Sequence, residues 1–318
     1  MSASGRSSSG ATQSWVAGER DAISLGDVVP TSAWSSELGP VPGADAVHVS
    51  VLSGYGLNCE AETAAGFGML GAKAEIVHTG AWLEAGPTVL EGVHILAFVG
   101  GFSFGDHIAS GRVLANRVRY RMADALARFV DDGGHVIGIC NGFQTIAKLG
   151  LLPALGRARG GGLSDQQVSI VDNDRLGYRD AWVRLAVTPN SPCAFTRGAS
   201  GAALEVPARH GEGQIVFADD ALRDATWREG LVPLTYVDAA GAPTEGWPDN
   251  PNGSRGGAAA LCDVTGRVFG VMPHPEAFLY AENHPDYTRW RASGRVPRWG
   301  DGLGILASGV RSVLGGWT

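Results

Sequence analysis

The chain has 318 residues, of which 44% are hydrophobic and 18% are charged, the balance of an ordinary globular protein. Its formal net charge is −7 and its lysines and arginines form no cluster, which argues against nucleic acid or an anionic membrane surface as the main partner. No apolar run approaches the roughly 18 residues that a membrane span needs. Four cysteines lie far apart without the spacing of a metal site, which indicates reduced thiols in a cytoplasmic protein: Cys59, Cys140, Cys193 and Cys262.

Residues 1–44 differ in composition from the rest of the chain. They are rich in Ser, Gly, Ala and Pro and show no sustained hydrophobic period, which predicts a flexible leader. From residue 46 onward, short apolar runs alternate with stretches of helical period. We therefore expect one domain over residues 45–318.

The alternation of strands and helices predicts an α/β fold. Strands are predicted at residues 47–52, 75–78, 93–99 and 136–139, and helices at residues 60–70 and 117–130. Such alternation requires right-handed crossovers and a mostly parallel sheet with helices on both faces. The chain after Pro153 has frequent turn signals and predicts short antiparallel strands, with a terminal helix at 303–314; the strands lie at 168–171, 182–187, 215–217, 234–237, 258–262 and 268–272.

A cysteine stands at the end of the strand at residues 136–139. Cys140 lies between Gly138 and Gly142, and a helical pattern resumes at residues 143–149. A strand, a sharp turn and a helix form the nucleophile elbow, in which the turn exposes the side chain and the helix N-terminus favours a thiolate. The alternative is a buried structural cysteine, since free cysteine is among the most buried residue types.

A histidine and a glutamate follow the last predicted strand. His274 and Glu276 are separated by Pro275, whose stiff ring fixes their relative direction. A base whose imidazole is oriented by a carboxylate is what a cysteine nucleophile needs. The alternative is a surface loop with a solvated His/Glu pair.

Paired glycines end the strand at residues 93–99. Gly100 and Gly101 allow backbone N–H groups to approach a reacting carbonyl, as an oxyanion hole requires. A phosphate-binding loop is weakly supported because the spacing fits no phosphate motif, and a plain turn stays open. The chemistry of a parallel sheet lies at the carboxyl ends of its strands, so we expect these glycines and Cys140 on one rim.

Several stretches together resemble class I glutamine amidotransferases, and more narrowly the glutaminase component of phosphoribosylformylglycinamidine (FGAM) synthase. The elbow and the final His-Pro-Glu are shared with the wider family, whereas the phenylalanine after the elbow and the HGEG and NPNGS motifs are narrower marks. The resemblance covers residues 46 to 280 and is carried by GLNCE (56–60), GGFSFGD (100–106), GICNGFQ (138–144), LGLLP (149–153), HGEG (210–213), NPNGS (250–254) and PHPE (273–276). It implies the flavodoxin-like class I amidotransferase fold.

The resemblance implies a Cys-His-Glu triad. Cys140 would attack the γ-carboxamide of glutamine to form a glutamyl thioester. His274 would act as general base and acid, and Glu276 would orient it. The tail after about residue 280 lies outside the resemblance, and we predict that its tryptophans Trp290 and Trp299 belong to the core.

The resemblance also implies the rest of the site and its partners. Backbone N–H groups of Gly100, Gly101 and Asn141 would hold the oxyanion, and Gln144 and His210 would contact glutamine. No metal or cofactor is needed on this chain. ATP, Mg²⁺ and formylglycinamide ribonucleotide would belong to an FGAM synthetase subunit that receives the ammonia, with or without a small bridging subunit.

Three other functions are compatible with parts of the sequence. A paralogue could feed ammonia to another synthetase. A cysteine hydrolase could use the same sheet, although a His-Pro-Glu strand end that places base and orienting acid side by side argues against it. A non-catalytic regulatory module could keep the fold, although the intact triad argues against that function.

Overall fold

In a computed structural model of the protein, residues 38–199 and 203–315 are described. The strands in chain order are β1 (His48–Ser53), β2 (Lys73–His78), β3 (Ile95–Phe98), β4 (His135–Ile139), β5 (Val168–Asp172), β6 (Arg179–Val187), β7 (Ala203–His210), β8 (Glu212–Phe217), β9 (Leu234–Tyr236), β10 (Ala260–Cys262) and β11 (Val268–Val271). The α-helices are α1 (Glu60–Met69), α2 (Thr79–Ala85), α3 (Arg112–Asp131), α4 (Asn141–Lys148), α5 (Asp220–Arg228), α6 (Tyr287–Ala292) and α7 (Asp301–Val313).

The largest sheet has six strands in the order β10-β11-β4-β3-β1-β2. All neighbours in it pair in parallel except β10, which runs antiparallel to β11 at the edge. The order β2-β1-β3-β4-β11 is that of flavodoxin-like sheets, in which the chain starts in the middle and reverses direction once. The predicted mostly parallel α/β fold is confirmed.

The central strands are buried on both faces. Every residue of β3, β4 and β11 is buried, so both faces of the sheet are covered, as parallel sheets require. The helices that cover them form two groups. Helix α1 contacts α7, and α3 contacts both α2 and α4. Within the described part of the chain, each helix is too short or too polar to cross a bilayer.

Two smaller sheets follow the elbow helix. β5 pairs antiparallel with β8, and β6 lies between β7 and β9 with antiparallel pairing on both sides. The predicted antiparallel strands in the C-terminal half are therefore confirmed. Strand β7 was not predicted, because Pro207 interrupts its pattern; the strand is an edge, where a missing N–H costs no ladder bond.

Three short helices were not predicted, namely α2, α5 and α6. Each is shorter than ten residues, which is too short for a helical hydrophobic period to be recognised in the sequence. One start signal was present: the Asp219 carboxylate accepts a hydrogen bond of 2.7 Å from the Leu222 N–H and caps α5.

The ends of the described chain pack against the domain. The prediction of a leader falls on residues 1–44, of which 1–37 lie outside the described residues. Leu38 and Val41 are buried, so residues 38–44 contribute to the core. Trp290 is buried, and the indole N–H of the half-buried Trp299 donates to the Leu38 carbonyl at 2.6 Å. The predicted core position is confirmed for Trp290, whereas Trp299 is only partly buried and packs against the core.

Candidate active site

Three neighbouring strands deliver the predicted site segments to one edge of the sheet. Strands β3, β4 and β11 are adjacent and parallel, so their carboxyl ends lie side by side. The first is followed by Gly100 and Gly101, the second by Cys140 and the third, after two residues, by His274. The glycine pair and the cysteine therefore share a rim, as the sequence predicts.

Cys140 has the backbone conformation of a nucleophile elbow. Its φ of 49° and ψ of −105° are rare for a residue with a side chain, and its N–H donates to the Val271 carbonyl at 2.8 Å. A Cβ on Gly142 would lie 1.8 Å from the Phe98 carbonyl oxygen, so only glycine permits this close turn. Helix α4 begins at the next residue, so Cys140 stands at the N-terminus of that helix.

His274 and Glu276 form a buried pair. The His274 Nδ1 and the Glu276 Oε1 are 2.6 Å apart, and both side chains are almost fully buried. Burial disfavours the imidazolium, but the Glu276 carboxylate and the nearby Cys140 outweigh it and raise the pKa of His274 well above its ordinary value of 6.5. The pair therefore has the arrangement of a base held by its orienting acid.

One backbone carbonyl faces both the thiol and the imidazole. The Arg209 oxygen lies 3.5 Å from the Cys140 Sγ and 3.4 Å from the His274 Nε2. Because it is an acceptor, it can hold a proton on either group. The elbow cysteine and the His/Glu pair thus meet around the end of β7.

The glycine turn lies against the histidine. A Cβ on Gly100 would lie 2.8 Å from the His274 Cε1, so a side chain there would displace the ring. The Gly100 carbonyl accepts from the Asn58 N–H at 3.1 Å, and the Phe102 N–H donates to the Gly56 carbonyl at 2.8 Å. These two bonds flank Gly101, whose own N–H therefore points away from the bridge.

Asn141 and Gln144 form part of a buried amide network. The Asn141 Nδ2 donates to the Asp106 Oδ1 at 3.0 Å and to the Gln144 Oε1 at 3.0 Å. The Gln144 Nε2 donates to the Glu212 carbonyl at 2.7 Å. Both side chains are thereby fixed, and Gln144 lines the cavity described below.

His210 presents a hydrogen-bond acceptor. Burial, followed by the charge of His274, lowers its pKa to about 3, so the imidazole is neutral. The Asn173 Nδ2 donates to the Gly177 carbonyl, which leaves the Asn173 Oδ1 as acceptor for the His210 Nδ1 at 3.0 Å. The proton is therefore on Nδ1, and the buried Nε2, which has no partner, accepts.

A cavity of about 760 Å³ joins these groups. Its lining includes seven residues near the rim, namely Gly101, Asp106, Cys140, Gln144, His210, His274 and Glu276. Of the predicted site residues, Gly100 and Asn141 do not line the cavity. The cavity is of a size that takes a small polar ligand.

Two residues of the cavity were not singled out from the sequence. Arg209 is the only arginine or lysine among the described lining residues, and its guanidinium lies 3.5 Å from the Asp180 carboxylate. Arg209 directly precedes the HGEG motif, and this position in the sequence could have identified it as a site residue. Cys59 lies in the GLNCE stretch after β1, a strand whose carboxyl end faces the same rim.

Cys59 adds a third donor to the His/Glu pair. Its Sγ, the His274 Nδ1 and a Glu276 oxygen all lie within 4.8 Å of one another. Burial raises the pKa of this thiol above its ordinary value, while a hydrogen bond to His274 lowers it. These three side chains are the described residues of the site that could hold a metal ion.

Comparison with known proteins identifies the family of this chain. Residues 46–303 match the CobB/CobQ-like glutamine amidotransferase domain. The chain is 37% identical over 266 residues to phosphoribosylformylglycinamidine synthase subunit PurQ of Dehalococcoides mccartyi, which covers 83% of this chain and 97% of that protein. It is 38% identical to the same subunit of Methanococcus maripaludis, over 75% of this chain and 85% of that one.

The solved structure of PurLQS from Thermotoga maritima shares the fold. A chain of it aligns with a TM-score of 0.59 and 23% identity, over 87% of this chain and 100% of that chain. The sheet and its elbow thus define the class of the protein: the chain belongs to the CobB/CobQ-like glutamine amidotransferase family. Within that class it belongs with the PurQ subunits of phosphoribosylformylglycinamidine synthase.

Proposed function

We propose that this chain is the glutaminase subunit of FGAM synthase, which releases ammonia from glutamine for an ATP-dependent synthetase. The observation that carries the proposal is the 2.6 Å His274–Glu276 pair at one cavity with the strained elbow Cys140. Family membership favours this function over the cysteine hydrolase and the non-catalytic module.

The proposed reaction has two steps at one thiol. The Cys140 Sγ attacks the γ-carboxamide carbon, and its proton passes through His274 to the departing nitrogen, which leaves as ammonia. Water then attacks the glutamyl thioester while His274 removes its proton; the C–S bond breaks, glutamate is released, and the proton returns to the Cys140 Sγ. Glu276 keeps the imidazole oriented and stabilises its charge in both steps.

Backbone groups are proposed to hold the oxyanion of each step. The N–H of Gly101 points away from the Leu57 bridge, and Asn141 is the first residue of α4, where N–H groups lack intrahelical acceptors. Donors placed in this way on both sides of the thiol stabilise the negative oxygen that develops during attack. Gly100 supports the turn by leaving room for the imidazole.

Two side chains are proposed to recognise glutamine. Arg209 supplies the positive charge for the α-carboxylate, and the unpartnered His210 Nε2 accepts a hydrogen bond from an N–H group. The direct contact between Gln144 and glutamine stays a prediction; its amide already binds Asn141 and Glu212.

The remaining requirements fall on partner subunits. The half-reaction needs no metal or cofactor on this chain, so ATP and Mg²⁺ are proposed to act on the synthetase, which forms the new C–N bond. We further propose that a small bridging subunit joins the two, and that the complex works in the cytoplasm, where thiols stay reduced.

The test separates ammonia production from ammonia use. In a complex with the FGAM synthetase, Cys140→Ala should abolish FGAM synthesis from glutamine and leave synthesis from ammonium salts intact. Loss of both activities would make Cys140 a structural residue. The wild-type complex could also fail to make FGAM from either nitrogen source, while the chain supplies ammonia to another synthetase. That result would support the alternative function, a paralogue that serves a different synthetase.

We expect the isolated chain to hydrolyse glutamine slowly. The Arg209 carbonyl faces both Cys140 and His274 and competes with the thiol for the imidazole proton. A partner that shifts this strand end changes that competition. Ammonia release should therefore rise when the synthetase is added, and equal rates with and without it would contradict the coupling.

A further inference from the structure

Cys59 is a second thiol of the active-site cavity to which the proposed reaction gives no role. It directly precedes α1, and its Sγ donates to the Asn58 Oδ1 at 3.3 Å. On its other side the Sγ lies 3.8 Å from the His274 Nδ1. The thiol therefore approaches the imidazole from the side of Glu276, the nitrogen opposite to the one that serves Cys140.

The Cys59 Sγ and the His274 Nδ1 have the separation that two ligands of a tetrahedral cation need. Zinc bonds of roughly 2.3 Å to sulfur and 2.1 Å to nitrogen, at a tetrahedral angle, place the two ligand atoms about 3.6 Å apart. The Cys59 Sγ and the His274 Nδ1 are already 3.8 Å apart. A thiolate, an imidazole and a carboxylate are also ligand types that Zn²⁺ takes.

A second observation points to a ligand at this place. The Glu276 Oε2 is buried and has no hydrogen-bond partner, although the other oxygen of the same carboxylate binds His274. A buried carboxylate oxygen without a partner is costly, and a cation would satisfy it. All three donors lie within 4.8 Å of one another.

We propose that Cys59, His274 and Glu276 bind a borderline-soft divalent cation such as Zn²⁺, and that the bound cation switches the triad off. The cation would replace the thiol proton of Cys59 and the proton on the His274 Nδ1, and both protons would pass to solvent. It is an inhibitor and takes no part in the reaction. The inhibition rests on the proposed function, whereas the binding does not.

The chemical cause of the inhibition is the state of the imidazole. A ring that binds a cation through Nδ1 keeps a proton on Nε2, because losing that proton would leave an imidazolate. Such a ring cannot pass protons between Cys140, ammonia and water. Glu276, as a ligand of the cation, is no longer available to orient the ring as an acid–base catalyst.

Zinc binding to the full chain tests the proposal without turnover. Competition with a chromophoric chelator should show one Zn²⁺ bound by the wild type and, within a few-fold, by Cys140→Ser. Cys59→Ser should bind at least roughly tenfold more weakly, since it lacks a ligand. Cys193→Ala, which changes a thiol buried beside Cys262, should bind as the wild type does.

Cobalt identifies the sulfur. With Co²⁺, a thiolate-to-metal absorption band should appear in Cys140→Ser and be absent in Cys59→Ser. Equal Zn²⁺ affinity of Cys59→Ser and wild type, or loss of binding in Cys140→Ser, would overturn the site. Because binding is measured without substrate, an inactive glutaminase would leave these results unchanged.

Inhibition is measured for each protein as the ratio of its glutamine-dependent rates with and without Zn²⁺. In the complex with the synthetase, Zn²⁺ should reduce the glutamine-dependent rate of the wild type, and a chelator should restore it. The same Zn²⁺ concentration should reduce the rate of Cys59→Ser by a much smaller factor. Equal reduction in both proteins would overturn the proposed switch even if the cation binds.

Discussion

The Nδ1 of His274 and the Oε1 of Glu276 lie 2.6 Å apart inside a short 3₁₀ turn. The residue between them, Pro275, has a fixed φ, so the two side chains are held by the backbone as well as by their bond. This turn follows β11, next to the strand that carries Cys140. A pair so placed accounts for a buried histidine whose pKa is raised and whose ring is held in one orientation.

Glu276→Gln should lower the glutaminase rate and shift its pH dependence. The substitution removes the charge that raises the pKa of His274 against burial, so the imidazolium that protonates departing ammonia is lost at lower pH. The alkaline limb of kcat/KM should therefore move to lower pH, with a drop of roughly 10²-fold in rate. Glu282→Gln, at an exposed position nearby, is the control, and an unmoved limb would contradict the role of Glu276.

Gly100→Ala should inactivate the protein and also lower its free energy of unfolding by about 1–3 kcal/mol. The added Cβ would lie 2.8 Å from the His274 Cε1 and 3.0 Å from the Cys59 Sγ, so it displaces the ring from its position. Thermal unfolding and kcat measured on the same sample separate the two effects. Gly68→Ala in α1 meets nothing within 4 Å and should stay active and gain up to about 1 kcal/mol. Full activity of Gly100→Ala would show that the turn does not confine the imidazole.

Arg209→Met should raise KM for glutamine by roughly 10-fold or more and change kcat much less. The guanidinium is proposed to meet the α-carboxylate, whose binding is the same in ground and transition state. Steady-state kinetics of the complex measure the effects on KM and on kcat separately. Arg184→Met, which removes an arginine of the same antiparallel sheet that does not line the cavity, should leave KM unchanged. An unchanged KM for Arg209→Met would assign carboxylate binding to another group.

The free energy of unfolding should fall in acid because of His135. Burial, followed by the charge of Arg267, lowers its pKa from 6.5 to about 4, so below pH 6.5 the unfolded state binds the proton first. Its contribution is complete above pH 6.5 and is lost toward pH 4, up to about 3 kcal/mol. His135→Gln should show a smaller acid loss in denaturant titrations at pH 7 and pH 4.5. Equal losses in both proteins would show that His135 does not titrate with unfolding.

Much of the fold and of the candidate site follows from local sequence patterns. Apolar runs with helical stretches between them predict a parallel sheet, and the carboxyl-end rule then places Gly101 and Cys140 on one rim. The stiff Pro275 predicts a paired His274 and Glu276. These features are determined by interactions between residues that are close in sequence, so a short segment is enough to predict them.

Other features depend on contacts between distant segments, and local patterns carry no sign of them. Cys59 reaches His274 because the loop after β1 folds back, with the Asn58 N–H on the Gly100 carbonyl. Strand β7 forms in spite of Pro207 because it pairs with β6 on one side only. The acceptor role of His210 follows from its bond to Asn173, a residue on another segment.

The most direct test of the account is covalent labelling by an electrophilic glutamine analogue, such as a diazo-ketone amino acid, in the complex with the synthetase. Intact mass and peptide mapping should show one label per chain on Cys140, prevented by excess glutamine and absent in His274→Ala. Cys59, in the same cavity but on the other side of the imidazole, should stay unlabelled. A label on Cys59, or labelling that glutamine does not prevent, would contradict the assignment of Cys140 as the nucleophile.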